Sequence, residues 1–201
     1  MNKSFISLGL MSGTSMDGVD ASIIKSNGLD EISLILNKYS PYDRKIRKNL
    51  YLLRDKINTS NDLKIFFEEI KSVEKEITLF HANFTDEIIK KSNIKIDLIG
   101  FHGQTIFHNA SEKVSKQIGD GELLSQLTKK KVIYDFRQND LKNGGQGAPL
   151  TPVFHNLIAN YIFKEYEDFS NILNIGGISN ITITVKNKDY LKKNIEAFDI
   201  A

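Results

Sequence analysis

Apolar residues change their spacing twice along the first half of the chain, and each change marks a different kind of element. Positions 5–10 form a short apolar run that ends in a glycine, serine and threonine segment, and 19–25 and 31–39 carry two further β-type patterns. Ser26-Asn27-Gly28 joins the last two as a turn sequence, because Asn and Gly tolerate positive φ. Three strands on short connections predict a meander. Beyond Pro41 the period becomes helical: Ile46, Leu50 and Leu53 share one face, and Leu63, Phe66, Phe67, Ile70, Val73, Ile77, Phe80 and Phe84 recur at three- and four-residue spacing. This second helix is expected to start at a Ser60 or Asn61 cap and to run to about Lys91, its aromatic stripe serving the core.

Strands over 96–101 and 132–136 enclose a short helix at 122–127. A helix over 157–163 and strands at 172–175, 181–185 and 197–200 complete the pattern. A meander that gives way to alternating helix and strand predicts an α/β protein with a mixed sheet.

With 201 residues the chain can bury the core of one sizeable domain, or of one domain and part of another. Its 27 basic and 25 acidic side chains leave a net charge of +2, so no overall field draws in nucleic acid or an anionic membrane. The Lys129-Lys130-Lys131 triplet reads as a solvated loop edge. Cysteine is absent, which removes disulfides, thiolate zinc sites and thiol nucleophiles together. The apolar start is too short for a secretory signal or a membrane span, and a cytoplasmic location is expected.

Four stretches concentrate the chemistry. The first is Gly13, Thr14, Ser15, Met16, Asp17, Gly18, Val19 and Asp20, a hairpin in which glycines let the main chain approach a ligand and successive N–H groups can converge on phosphate oxygens. The hydroxyls of Ser12, Thr14 and Ser15 add donors, and Asp17 is the candidate holder of hydrated Mg²⁺. An ordinary Gly/Ser turn also accounts for this composition. In the second stretch, His102 and Gln104 stand at the expected end of a buried strand, where α/β sheets present ligand loops. No third ligand accompanies His102 and His108, which argues against zinc, whereas Gln104 suits a sugar hydroxyl or an amide. Third come Asp135 and Arg137, then Gly145, Gln146 and Gly147; Arg137 either clamps an anion or pairs with Asp135 or Asp140. The fourth stretch, Asn174, Gly176, Gly177, Ser179 and Asn180, is a glycine turn between strands that echoes the first and reads as a second phosphate loop.

Together these stretches resemble the anhydro-N-acetylmuramic acid kinases, a family of the actin, hexokinase and Hsp70-like superfamily. The likeness is carried by Gly9-Leu10-Met11-Ser12-Gly13-Thr14-Ser15-Met16-Asp17-Gly18-Val19-Asp20 and by the block over 132–155, and it extends over essentially the whole chain. The resemblance implies an α/β fold built on an actin-like ATPase (ribonuclease H-like) domain, its mixed sheet starting with a three-stranded meander. Residues 1–170 would form that domain and 171–201 the beginning of a second one. It implies a kinase using ATP and Mg²⁺ that opens 1,6-anhydro-N-acetylmuramic acid with water and phosphorylates O6, in peptidoglycan recycling. Residues 13–20 would then hold ATP phosphates; His102, Gln104, Asp135, Arg137, Gly145, Gln146 and Gly147 would meet the anhydro-amino-sugar. Neither nucleic acid nor membrane is an expected partner; a homodimer or a separately encoded C-terminal half is. Asp199, in Ala197-Phe198-Asp199, matches the family's base on the attacking water. Where the family continues with Thr-Gly-Pro-Gly-Asn, this sequence reads Ile200-Ala201. The expectation is therefore a truncated form that does not close a kinase cleft alone. The alternatives are a non-catalytic sugar- or phosphate-binding remnant and the N-terminal subunit of a split kinase.

Overall fold

The computed structural model describes residues 3–162, 169–175, 179–185 and 195–200. They belong to two compact units, Met1–Gly145 and Gln146–Ala201.

The first unit is built on a six-stranded sheet. Strands β1 (Phe5–Ser12), β2 (Gly18–Ser26) and β3 (Ile32–Pro41) form the antiparallel meander, with Leu8 opposite Ile23 and Ile23 opposite Leu36. Helices α1 (Arg44–Lys56), α2 (Asp62–Ile65) and α3 (Phe67–Ser92) make the crossover that a parallel neighbour of β1 requires. That neighbour is β4 (Leu98–Asn109), with Ile99 opposite Leu8. On its other side β4 has two partners at different heights: β6 (Lys131–Tyr134) runs parallel to its first half, and β5 (Val114–Ile118) antiparallel to its second. In this mixed sheet β2 runs opposite to β1, β4 and β6. Leu8, Leu10, Ile23, Ile99 and Phe101 from the sheet meet Leu50, Leu53 and Ile77 from the helices, each at most 2% exposed. No strand covers the outer edge of β3 among the described residues, and Leu34, Ile35 and Tyr39 there are exposed.

Three local features differ from the sequence expectation. Asn61 takes the N-cap position of the helix after α1, but its side chain makes no cap hydrogen bond. Thr59 and Asp62 bond reciprocally instead, Thr59 N–H donating to Asp62 Oδ2 at 2.8 Å and Asp62 N–H to Thr59 Oγ1 at 3.4 Å, a capping box; the chain then breaks at Phe66 before α3 begins. The strand expected to end at Phe101 continues to Asn109 and returns as β5, so His102 and Gln104 are strand residues. Gly103, at φ 70°, lets β4 bulge against β1 where an ordinary residue would have interrupted it. A short helix, α5 (Gln138–Lys142), occupies part of the expected loop after β6.

Helix α3 carries a second stripe. Glu74, Thr78, His81 and Thr85 are polar yet buried, and three of them anchor another element. Glu74 accepts from Lys71, Lys116 and the Gly119 N–H; Thr78 Oγ1 accepts from the Asp120 N–H at 2.9 Å; His81 reaches Ser12. Asp120 in turn caps α4 (Gly121–Thr128) by accepting from Leu123 N–H.

The second unit holds α6 (Pro152–Ile162) and a three-stranded antiparallel sheet, β7 (Phe169–Asn174), β8 (Asn180–Val185) and β9 (Ile195–Asp199), with Ile181 opposite both Leu173 and Phe198. Helix α6 packs on β8 and β9 and so belongs with them in the unit that starts at Gln146. Among the described residues no helix is long and apolar enough to cross a membrane.

Candidate functional site

Residues 13–17 connect β1 to β2, and the side chains of this stretch divide between solvent and core. Thr14, Ser15, Asp17 and Asp20 are exposed, whereas Met16, at φ 54°, and Val19 are core residues, leaving only their main chain for a ligand. Gly18, Val19 and Asp20 already belong to β2. The Ser12 hydroxyl, expected among the donors of the loop, is 1% exposed and points inward.

What holds the loop is a set of donors to its carbonyls. Gly13 O accepts from Met16 N–H at 3.2 Å, which closes the turn, and from Gln104 Nε2 at 2.8 Å. Tyr51 O–H donates to Ser15 O at 3.1 Å, and Tyr42 N–H to Asp17 O at 2.8 Å. With carbonyls drawn toward the body of the unit, such a loop can offer an anion its N–H groups. Gln104 is fully buried beneath it, and its Oε1 has no donor among the described residues.

Asp17 accepts from Ser15 Oγ at 2.6 Å, and that bond, with help from main-chain N–H groups and the nearby Arg47 charge, holds its carboxyl below the usual range against partial burial. Asp20 is pushed the other way by burial and by Asp17. No group of three or more metal-ligating side chains converges among the described residues. A single carboxylate of this kind suits Mg²⁺ that keeps its waters and is bound mainly by phosphates.

A second cluster surrounds His102. Arg137 Nη2 lies 2.9 Å from His102 Nε2, and because guanidinium can only donate, Nε2 is the acceptor; Nδ1 therefore carries the proton toward Gly103 O, 2.8 Å away. Burial, with the Arg137 charge adding to it, lowers the imidazole pKa and keeps His102 neutral. His102 and Asp135, the latter at φ 60° just after β6, both line a cavity of about 460 Å³ that also involves Glu122, Gln138 and the Glu74–Lys116 pair. The cavity lining includes neither Gln104 nor the 13–17 loop, so the sequence candidates in this unit fall into two groups: the loop after β1 with Gln104 of β4, and His102 of β4 with Asp135 and Arg137 from the segment after β6. Gly145 ends the unit facing the Asp140 carboxylate, which a side chain at this position would have to displace.

In the second unit Gln146 is exposed and Gly147 buried. Asn174 and Asn180 face each other at the end of the β7–β8 hairpin, Asn180 lies opposite Asp199 in the β8–β9 ladder, and Ser179 O accepts from Ile200 N–H at 2.9 Å. Gly176 and Gly177, expected in the second phosphate loop, lie outside the described residues.

Sequence reasoning passed over Tyr42, Tyr51 and His81. A histidine four residues after Ile77 on an apolar helix face is a detectable signal; the two tyrosines carry none, since only the fold brings them to the loop.

The family model of anhydro-N-acetylmuramic acid kinase matches residues 5–199. A protein of that name from Pelagibacter ubique (strain HTCC1062) is 56% identical over 201 residues, which is 100% of this chain and 52% of that protein. Another from Rhizobium etli is 38% identical over 178 residues, 87% of this chain and 48% of that protein. The chain thus spans about half the length of these relatives. Among solved structures, YeaZ from Pseudomonas aeruginosa aligns with a TM-score of 0.33 and 8% identity over 98% of this chain and 66% of that one, too slight a likeness to argue from. The match over residues 5–199 places this chain in the anhydro-N-acetylmuramic acid kinase family.

Proposed function

We propose that this chain contributes the phosphate loop and part of the sugar site of an ATP-dependent kinase acting on 1,6-anhydro-N-acetylmuramic acid in the cytoplasm. Water adds at C1, the bond from C1 to O6 breaks, and the freed O6 takes the γ-phosphoryl group, giving N-acetylmuramic acid 6-phosphate and ADP. In this reading the main-chain amides of 13–17 hold the phosphates, and Asn174, Gly176, Gly177, Ser179 and Asn180 form a second phosphate loop. Asp17 holds Mg²⁺ through water, and the metal would supply charge neutralisation at the transferring phosphoryl group. His102, Gln104, Asp135, Arg137, Gly145, Gln146 and Gly147 meet the sugar, His102 as a neutral group held by Arg137. Asp199 takes the proton of the attacking water. Groups from the half of the relatives that the match does not cover, continuous with this chain or on a separate polypeptide, or from a second copy, complete the enzyme.

The observation that carries this reading is the turning inward of the Gly13, Ser15 and Asp17 carbonyls, each held by a donor from the body of the unit. Titration calorimetry of the chain with Mg·ATP tests it. A methyl group on Gly13 would meet nothing nearer than Ser15 Oγ at 3.7 Å, so Gly13→Asp leaves the fold intact while placing a carboxylate where phosphate is expected. One-to-one binding lost in Gly13→Asp supports the loop as the phosphate site; unchanged heat between the two proteins counts against it.

A further inference from the structure

His81, Ser12 and Tyr42 form a buried hydrogen-bonded chain whose direction is set by its chemistry. His81 Nδ1 lies 2.8 Å from Ile77 O, which can only accept, so Nδ1 carries the proton and Nε2 is the acceptor. Ser12 Oγ, 3.3 Å from that Nε2, donates to it, and Tyr42 O–H donates to Ser12 Oγ across 2.7 Å. All three residues are at most 4% exposed. The chain ties three elements together: the middle of α3, the last residue of β1 and the residue before the Asp43 cap of α1.

Tyr42 is the member that reaches the loop at both ends. Its hydroxyl holds Ser12, immediately before Gly13, and its N–H holds the carbonyl of Asp17, the last residue before β2. Its ring is fixed edge-on against Phe80, centroids 4.9 Å apart, and His81 is fixed in the same manner against Phe101. A five-residue loop whose two ends are bound to one side chain and one amide of the same rigid residue has little freedom to open.

From this we infer that Tyr42, supported by Ser12 and His81, is the positioning residue that sets the conformation of the 13–17 loop for its ligand. The inference rests on the proposed phosphate-binding reading only for the identity of the ligand. Tyr42→Phe removes one hydroxyl and keeps the ring contact; Ser12→Ala breaks the same link from the other side. Amide hydrogen exchange of the ligand-free full chain should show the N–H groups of Met16 and of position 42 exchanging at least tenfold faster in either variant. Ile99 and Phe101 in β4 should stay as in the unaltered chain, and Ile88→Val, a core change at the far end of α3, should leave the loop amides unaffected. Mg·ATP affinity, read by calorimetry, should fall about tenfold in Tyr42→Phe. Faster loop exchange in a chain that binds no Mg·ATP would retain the positioning role and reject the loop as the phosphate site of this chain. Loop exchange equal to that of the unaltered chain in both variants would overturn the inference, as would a general rise in exchange shared by β4.

Discussion

Gly103 occupies the bulge of β4 at φ 70°, and a methyl group there would meet Ile118 O at 2.5 Å. The strain of a left-handed alanine and the forced shift of β5 act together, so Gly103→Ala should cost about 3 kcal/mol of stability, read by urea denaturation. His81 makes a different demand at the same scale. Burial pushes its pKa down to about 4, the Ile77 hydrogen bond opposing only in part. Between about pH 6.5 and pH 4 the unfolded chain therefore binds a proton that the folded chain refuses. Stability falls as pH drops through that window, by roughly 3 kcal/mol at its lower end. His102 and His155 are lowered by burial too and add to the slope, so His81→Gln should flatten the pH dependence without abolishing it. Denaturation midpoints near pH 7 and near pH 5 in the two proteins provide the check.

Among the elements, α3 does most to place the site. Burial pushes the Glu74 carboxyl up, but hydrogen bonds from Lys71, Lys116 and the Gly119 N–H, together with the Lys116 charge, outweigh it and leave the group below the usual carboxylate range. Its contribution is present above the ordinary carboxylate value and is lost as pH falls from there through the lowered value. Glu74→Ala should cost about 3 kcal/mol, through a lost acceptor for Gly119 and a broken ion-pair network, and should raise hydrogen exchange at Gly119 and Asp120 selectively. This helix also marks the limit of what the sequence discloses. Its apolar stripe, the apolar face of α1 and the opening meander could be read from periodicity alone. The polar stripe could not, because its partners lie 42 to 69 residues away: Asp120 for Thr78, Lys116 for Glu74, Ser12 for His81. In β4, glycine and polar residues after Phe101 imitate a strand end, and only pairing with β5 shows that the strand goes on. The glycine loop stood out by its composition, which an ordinary turn also explains, whereas the inward turn of its carbonyls depends on Gln104, Tyr51 and Tyr42, which no local pattern connects to it.

At the scale of the whole molecule the first unit has a hydrophobic cluster made of its own residues and contains every strand of its own sheet. A chain of residues 1–145 should accordingly fold alone and unfold in one cooperative step, with a midpoint close to that of the same transition in the full chain, as followed by circular dichroism. Among the described residues the sheet of that unit also has an open flank. Along β3 a ladder of ten residues has hydrogen-bonding groups on its outer side and carries exposed Leu34, Ile35 and Tyr39, with Lys38 its one charged residue. Warmed or concentrated protein thus has a template on which molecules can zip together edge to edge. Heating scans should turn irreversible earlier as concentration rises, and a second lysine at Leu34 should delay the onset.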